Sequence, residues 1–185
     1  LFCARDAFGI KPLYYYRAAD GTLLFASEIK AFLDHPAFEK RLNAEQLELY
    51  LSFQYSPGEE TFFRGVKKLL PGCWLESSGG RLRTGRWQAP RFAPEAPSDR
   101  WPAAIDAVLR DSVAAHKVAD VAVAGFLSGG VDSACLTALG RPARCYTIGY
   151  AEPGYDEAGQ AGALARTLGI EHRVRRITPE EFWAA

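Results

Sequence analysis

The residues with the clearest chemical potential form one short loop, Ser128 to Ser133, with the sequence Ser-Gly-Gly-Val-Asp-Ser. Its two glycines would let the backbone turn with positive φ and bring N–H groups close to an anion. The hydroxyl groups at both ends can donate hydrogen bonds to phosphate oxygens. The Asp132 carboxylate suits a phosphate site only when a cation lies between them, and Mg²⁺ takes such ligands. The loop therefore predicts a site for phosphate groups and magnesium.

Other phosphate-binding loops differ from this one. The Gly-Lys-Ser/Thr ending of the Walker motif is absent, and so is the Gly-x-Gly-x-x-Gly of dinucleotide-binding folds. A turn without a ligand is the plain alternative, and we interpret Ser78 to Gly80 as such a hairpin turn. The position of the Ser128–Ser133 loop between an apolar strand and a helix favours the functional interpretation.

The elements that must position this loop alternate between strand and helix. They are predicted at residues 121–127, 133–139, 143–150, 156–168 and 172–177. The first is apolar enough for a strand buried on both faces, and Gly169 should end the second helix. An earlier helix should begin near Ser98 or Asp99. Its buried face is predicted to contain Ile105, Val108, Leu109, Ser112 and Val113. This order predicts a parallel sheet with helices against it.

Residues 1–88 have a different, β-rich pattern. Asp20-Gly21 is a strong hairpin signal, and Ser78 to Gly80 should close a second hairpin. Ser27 is predicted to cap a helix at residues 28–33, and a second helix should cover residues 44–53. Pro90, Pro94 and Pro97 then mark a linker at residues 89–99 and a domain boundary.

The overall composition excludes several classes of protein. The 22 basic and 22 acidic residues cancel, whereas nucleic-acid or membrane-surface partners require a basic field. The four cysteines and three histidines show no metal-ligand spacing. No apolar run approaches the roughly 20 residues of a membrane span, and no signal peptide is visible. We therefore expect a cytoplasmic enzyme with no nucleic-acid or membrane partner.

A family resemblance narrows this further. The Ser128–Ser133 loop resembles the PP-loop of the ATP pyrophosphatase superfamily, and residues 120–127 lead into it as they do in that group. Residues 4–14 resemble the end of the glutaminase domain of glutamine-hydrolysing asparagine synthetases. Residues 25–33 and 61–72 are similar to the next blocks of the same family. Because order and spacing agree over nearly the whole chain, the sequence is identified as a member of that family.

The resemblance implies two truncated domains. Residues 1–88 would be an α+β part, the C-terminal portion of a type 2 glutamine amidotransferase domain of the Ntn-hydrolase type. Residues 89–99 would be the linker. Residues 100–185 would be the N-terminal part of an α/β parallel-sheet PP-loop domain, of the adenine nucleotide alpha hydrolase-like kind.

The resemblance also implies the activity and its ligands. The enzyme would form β-aspartyl-AMP from aspartate and ATP with Mg²⁺, and ammonia from glutamine would then displace AMP. Leu127 and Ile148 would contact the adenosine, and Asp132 would bind magnesium. The motif residues that would hold the pyrophosphate region are Ser128, Gly129, Gly130, Val131 and Ser133. A homodimer is compatible with this family.

Parts of the implied machinery are expected outside this sequence. The cysteine nucleophile of the glutaminase would lie upstream of Leu1, so Cys3 is not that group, and we expect the fragment alone to be inactive. The acceptor carboxylate stays open, because relatives of asparagine synthetases also act on sugar, peptide or β-lactam precursors. A non-catalytic remnant is the third reading. Asp156 and Glu157 are interpreted as acids at a helix N-terminus.

Overall fold

The computed structural model of the chain describes residues 1–93, 98–152 and 154–184. They fall into two compact units, residues 1–94 and 95–185. Of the predicted linker, residues 94–97 lie outside the described residues. The exact bounds of the predicted domains and linker stay a prediction.

The first unit is built from antiparallel sheets, as its β-rich pattern predicts. Its strands and helix are β1 (Phe2–Ala4), β2 (Tyr14–Arg17), β3 (Leu23–Ala26), α1 (Glu45–Phe53), β4 (Val66–Lys68), β5 (Cys73–Ser78) and β6 (Arg81–Arg86). One sheet has the order β1-β5-β6 and the other the order β3-β2-β4. Two apolar clusters hold them, one around Phe32 and Val66 and the other around Leu69 and Leu75.

Both hairpins predicted for this unit are confirmed. At the first, Gly21 has φ 90°, and the carboxylate of Asp20 accepts a hydrogen bond of 2.9 Å from the Thr22 N–H. At the second, Ser78 pairs with Arg81 across a two-residue turn. The two glycines of that turn have φ 54° and 71°. Such left-handed residues match the twist of the flanking strands.

One helix prediction in the first unit is wrong in type and cap. Residues Ile29–Phe32 form a single 3-10 turn, and its N-cap is Glu28, which makes no side-chain capping bond. Ser27 therefore does not cap an α-helix here. The observed backbone bonds run from Ala31 N to Glu28 O and from Leu33 N to Lys30 O, which is the i to i+3 pattern of a 3-10 turn.

The second unit has the predicted parallel sheet. Its elements are α2 (Trp101–His116), β7 (Gly125–Phe126), α3 (Val131–Gly140), β8 (Arg144–Gly149), α4 (Ala158–Leu168), β9 (Glu171–Arg176) and α5 (Pro179–Trp183). The strand order is β7-β8-β9, and both pairings are parallel. Gly169 caps α4 in the left-handed conformation, as predicted. Leu127, Cys145, Ala161 and Ala165 form the buried core.

Two burial predictions for this unit are wrong. The run 121–127 forms only the two-residue strand β7, and Val121 and Phe126 are 77% and 82% exposed. β7 is an edge strand among the described residues, so one side has no neighbour. On α2, Ile105, Val108 and Ser112 are exposed, while Leu109 and Val113 are only half-buried. α2 packs mainly on α3, so much of its apolar face has no neighbour among the described residues.

No helix among the described residues has the length and apolar character needed to cross a bilayer.

Candidate functional site

The Ser128–Ser133 loop lies where the alternation of elements predicts it. It follows β7 at the carboxyl end of the parallel sheet and runs directly into α3. Buried Leu127 anchors its start, because the Leu127 N–H donates a 2.9 Å hydrogen bond to Tyr146 O. At its end, the first bond of α3 runs from Ala134 N to Gly130 O at 3.1 Å. The earlier N–H groups of α3 have no intrahelical acceptor, so this end favours an anion.

The two serines of the loop bond mainly to each other. Their hydroxyl oxygens are 2.8 Å apart, and Ser133 Oγ accepts a 3.1 Å bond from the Ser128 N–H. Ser128 Oγ in turn accepts a 3.2 Å bond from the Gly130 N–H. These bonds close the loop on itself and fix its shape. A direct role of both hydroxyls toward phosphate stays a prediction.

The prediction of positive φ for the loop glycines is wrong. Gly130 is the N-cap of α3 with φ −78° and ψ 154°, which is extended backbone. Gly129 is likewise absent from the glycines with positive φ in the described chain. Gly129 is crowded instead, since an added Cβ would overlap the side-chain oxygen of Gln160 on α4, and that flexible side chain would have to move. The helix N-cap itself makes the turn, so no left-handed residue is needed.

Asp132 lies exposed in the first turn of α3. Among the residues that the structure describes, no group of three or more His, Cys, Asp or Glu side chains could hold a metal. A single carboxylate still fits Mg²⁺ in one setting. Mg²⁺ is commonly bound by one or two carboxylates together with the phosphates of a substrate. Asp132 as a magnesium ligand therefore stays a prediction that depends on a bound phosphate.

A cleft of about 260 Å³ adjoins the loop. Of the predicted site residues, it brings together Leu127, Ser128, Ser133 and Ile148. The other lining residues are Phe126, Tyr146, Thr147, Tyr150 and Glu157. Gly129, Gly130, Val131 and Asp132 do not line it, and the Val131 side chain is 83% exposed.

The sequence prediction did not include the aromatic residues that line this cleft. Tyr146, Ile148 and Tyr150 are spaced two residues apart along β8 and its end. Alternate residues of a strand face the same side. Once Ile148 was assigned to the site, this two-residue spacing would have predicted that both tyrosines lie on the same side of the strand as Ile148.

Asp156 ties the end of β8 to the end of β9. Its carboxylate lies 2.8 Å from Arg176 Nη1 and accepts a 3.2 Å bond from the Ala158 N–H. The Arg176 guanidinium, with smaller help from backbone N–H groups, lowers the pKa of Asp156. Arg176 also donates a 3.0 Å bond to Tyr150 O. Asp156 thus serves as a helix N-terminal acid, and Glu157 lines the cleft.

A larger, apolar cleft of about 370 Å³ lies between α2, α3 and β7. Its lining includes Val113, Val123, Phe126, Leu136 and Pro142. Its polar lining residues are His116, Lys117, Ser133 and Thr137, so of the predicted site residues it reaches only Ser133, whereas four of them line the smaller cleft. The smaller cleft is therefore the better candidate site.

Two family matches together cover most of the chain. Residues 1–88 match a family described as a glutamine amidotransferase domain. Residues 104–185 match a family described as asparagine synthase. The candidate loop and cleft both lie within the second match.

Several curated proteins are similar over the whole chain. A Mycobacterium tuberculosis protein, whose name provisionally assigns it as a glutamine-hydrolysing asparagine synthetase, is 40% identical across 100% of this chain and 30% of its own length. Asparagine synthetase (glutamine-hydrolysing) 1 of Bacillus subtilis is 33% identical across 98% of this chain and 29% of its own. Asparagine synthetase 3 of the same organism is 34% identical across 89% of this chain and 28% of its own length. The chain spans about 30% of the length of these relatives.

Proposed function

This chain belongs to the glutamine-hydrolysing asparagine synthetase family, and we propose that it is part of an ATP-dependent ligase that makes asparagine from aspartate and glutamine. The observation that carries the proposal is the Ser128–Ser133 loop at the carboxyl end of a parallel sheet, inside the region that matches asparagine synthase. The names of the relatives favour aspartate over other acceptor carboxylates.

ATP would occupy the cleft beside the loop. Leu127 and Ile148 line it and would contact the adenosine. The first-turn N–H groups of α3 would face the phosphates, since they have no intrahelical acceptor. The remaining members of the pyrophosphate-binding motif are Ser128, Gly129, Gly130, Val131 and Ser133. A fold of the PP-loop type is part of this proposal.

Asp132 would hold Mg²⁺ on the phosphates. Its exposed position in the first turn of α3 leaves the carboxylate open to a shared metal. A bound Mg²⁺ would neutralise charge on the pyrophosphate as it leaves. The N–H groups at the start of α3 would stabilise the same negative charge.

The proposed reaction has two steps. A carboxylate oxygen of aspartate attacks the α-phosphorus of ATP, and the bond to the β-phosphate oxygen breaks to release pyrophosphate. Ammonia then attacks the acyl carbon, AMP leaves with the former carboxylate oxygen, and the nitrogen loses a proton. The adenylate is required because a free carboxylate resists attack by ammonia, whereas AMP is a good leaving group.

Residues 1–88 would belong to the domain that releases ammonia from glutamine, with an Ntn-hydrolase fold. Cys3 has a structural place, since it lies half-buried in β1 opposite Leu75 of β5. Small-molecule substrates, and no nucleic-acid partner, are proposed with this activity because the basic and acidic residues balance. Cytoplasmic location stays a prediction. Homodimer formation stays a prediction.

The test supplies the full-length protein with ATP, MgCl₂, aspartate and glutamine. We expect asparagine and pyrophosphate in equal amounts, measured by mass spectrometry and a pyrophosphate assay. Asp132→Asn should lower the rate by at least about tenfold, which is ~1.4 kcal/mol of transition-state stabilisation. Asp111→Asn, on an exposed position of α2, is the matched control and should keep the rate. Product from another carboxylate but none from aspartate would overturn the acceptor assignment.

A further inference from the structure

The base of the loop is joined to the last strand of the sheet by a buried hydroxyl. Thr147 lies in β8 and is 4% exposed. Its Oγ1 is 2.5 Å from Leu127 O, the carbonyl directly before the loop. The same oxygen is 2.7 Å from Nε2 of His172 in β9. One hydroxyl in β8 therefore connects β9 with Leu127, the residue directly after β7.

The direction of these two hydrogen bonds follows from the atoms involved. A carbonyl oxygen only accepts, so the single hydroxyl proton of Thr147 must point to Leu127 O. The bond to His172 then requires Nε2 to carry a proton and donate to Thr147 Oγ1. This holds for the neutral Nε2–H tautomer and for the imidazolium. The chain of donors runs from His172 through Thr147 to Leu127.

These two hydrogen bonds hold the Leu127 peptide group, which directly precedes the loop. The Leu127 N–H already donates to Tyr146 O at 2.9 Å, and Thr147 holds the carbonyl of the same residue. β7 pairs with β8 through only two residues, Gly125 and Phe126. Because that pairing is so short, the two bonds at Leu127 and its buried side chain are the main fixed points before Ser128.

Helix α4 supports the same arrangement from behind. His172 packs against Gly162, where an added Cβ would lie 3.4 Å from Nδ1. Arg166 of α4 is the charged group beside this contact, with Nη1 3.5 Å from the same Cβ position. Two residues before Gly162, Gln160 crowds Gly129 of the loop. α4 therefore restricts the position of the loop at two places, at its base through His172 and at Gly129 through Gln160.

We propose that Thr147 and His172 are positioning residues, which set the Leu127 carbonyl and so aim the loop N–H groups at the phosphates of the nucleotide. This inference rests on the proposed function, since it assumes that the loop binds ATP. Neither residue needs to touch the nucleotide's phosphates for this role. Removing Thr147 or His172 should weaken binding of the phosphates more than binding of the rest of the nucleotide.

The experiment compares ATP and AMP binding to the full-length protein by isothermal titration calorimetry in MgCl₂. Thr147→Val keeps the shape and removes the hydroxyl, and Thr147→Ser restores it. We expect Thr147→Val to weaken ATP binding about tenfold and AMP binding less than about threefold. Thr147→Ser should bind both nucleotides as the unsubstituted protein does. His172→Gln, which keeps an N–H donor, should retain more ATP affinity than His172→Leu.

The outcomes separate this inference from the proposed function. Equal ATP affinity in Thr147→Val and Thr147→Ser would overturn the inference while the proposed function stands. So would a parallel loss of ATP and AMP binding in proportion to a lowered melting temperature, since that shows a purely structural role. If the unsubstituted protein binds no ATP, the proposed function fails, and this inference fails with it.

Discussion

The tripeptide Ser-Gly-Gly occurs twice in the chain, at Ser78 to Gly80 and at Ser128 to Gly130, with two different structures. In the hairpin, both glycines have positive φ, and an added Cβ would meet nothing within 4 Å. In the loop before α3, Gly130 is extended, and a Cβ at Gly129 would overlap Gln160. The hairpin glycines are needed for backbone handedness, whereas an added Cβ at Gly129 would require the Gln160 side chain to move.

The difference should be largest in nucleotide affinity. Gly129→Ala places a methyl group against Gln160, which either shifts the loop or displaces that side chain. Because phosphate N–H donors must keep a close approach, we expect ATP binding to weaken by about tenfold or more. Gly79→Ala, in the other copy, should leave ATP affinity unchanged. Calorimetric titration with ATP and MgCl₂ measures both.

A second substitution sharpens that result. Gln160→Ala removes the overlapped side chain, so the double variant Gly129→Ala/Gln160→Ala should recover most of the lost affinity. Full affinity in Gly129→Ala alone would show that the loop tolerates a Cβ. The proposed reason for a glycine at this position would then be wrong.

For the free energy of unfolding, a substitution in the hairpin should cost more than one in the loop before α3. Gly80→Ala forces a Cβ into the left-handed region, which costs about 1 kcal/mol or more in the free energy of unfolding. Gly130→Ala keeps an extended conformation open to any residue, so it should cost less than Gly80→Ala even though its Cβ would lie 3.3 Å from Ser128 Oγ at the helix N-cap. Urea unfolding followed by circular dichroism gives both values. Gly80→Asn should lie between Gly80→Ala and the unsubstituted protein, since asparagine tolerates this region. A larger loss for Gly130→Ala would contradict the comparison.

The two serines should also separate, by a smaller amount. Ser128 Oγ contacts Ser133 Oγ at 2.8 Å and accepts from the Gly130 N–H, so Ser128→Ala should cost about 1 kcal/mol of stability. Ser78 is exposed at the end of β5, so Ser78→Ala should change stability by less than about 0.5 kcal/mol. Denaturant midpoints compare the pair directly. Equal midpoints would mean that the serine contacts do not stabilise the loop.

The smallest expected effect is a local loss of stability around Asp156 at acidic pH. Arg176 lowers the pKa of Asp156 below its ordinary 3.8. The ionised carboxylate therefore stabilises the folded unit above pH 3.8, and this contribution is lost as pH falls through the lower folded value. The Tyr150 and Ala158 amides, which donate to Asp156, should lose protection from hydrogen exchange there. The hairpin amide of Arg81 should change less.

Asp156→Asn is the matching variant for this pH test. It should remove the acid-induced change at the two amides, after correction for intrinsic exchange rates. Asp111→Asn is the control on an exposed helix position and should preserve the change. A wild-type pH response that persists in Asp156→Asn would assign the effect to another group.

Local signals in the sequence predicted most of the elements, but they missed β4 and assigned an α-helix where Ile29–Phe32 forms a 3-10 turn. Asp20-Gly21 and Gly169 each act through their own backbone conformation, so neighbouring residues suffice to identify the turn and the helix end. The buried faces of 121–127 and α2 were predicted wrongly. Periodicity shows which side of an element is apolar, whereas burial also requires a neighbour to cover that side.

The candidate site divides in the same way. The placement of Ser128–Ser133 after a strand and before a helix followed from the order of elements. The crowding of Gly129 by Gln160 and the bonds of Thr147 to Leu127 and His172 did not. These contacts join residues 20 to 31 positions apart along the chain. Tertiary packing creates them, and no local pattern marks them.

The short pairing of β7 also has a consequence for the order of folding. β8, α4 and β9 are consecutive: Cys145 of β8 packs with Ala161 and Ala165 of α4, and β9 pairs with β8 over six residues. Contacts between neighbouring segments form with little loop-closure cost, so this part should assemble early. β7 and Leu127 are joined to this part by two paired residues, the Thr147 hydroxyl and one buried side chain, so they should add last and open first. The loop would then become ordered only after the rest of its sheet exists, and it could detach without unfolding that sheet.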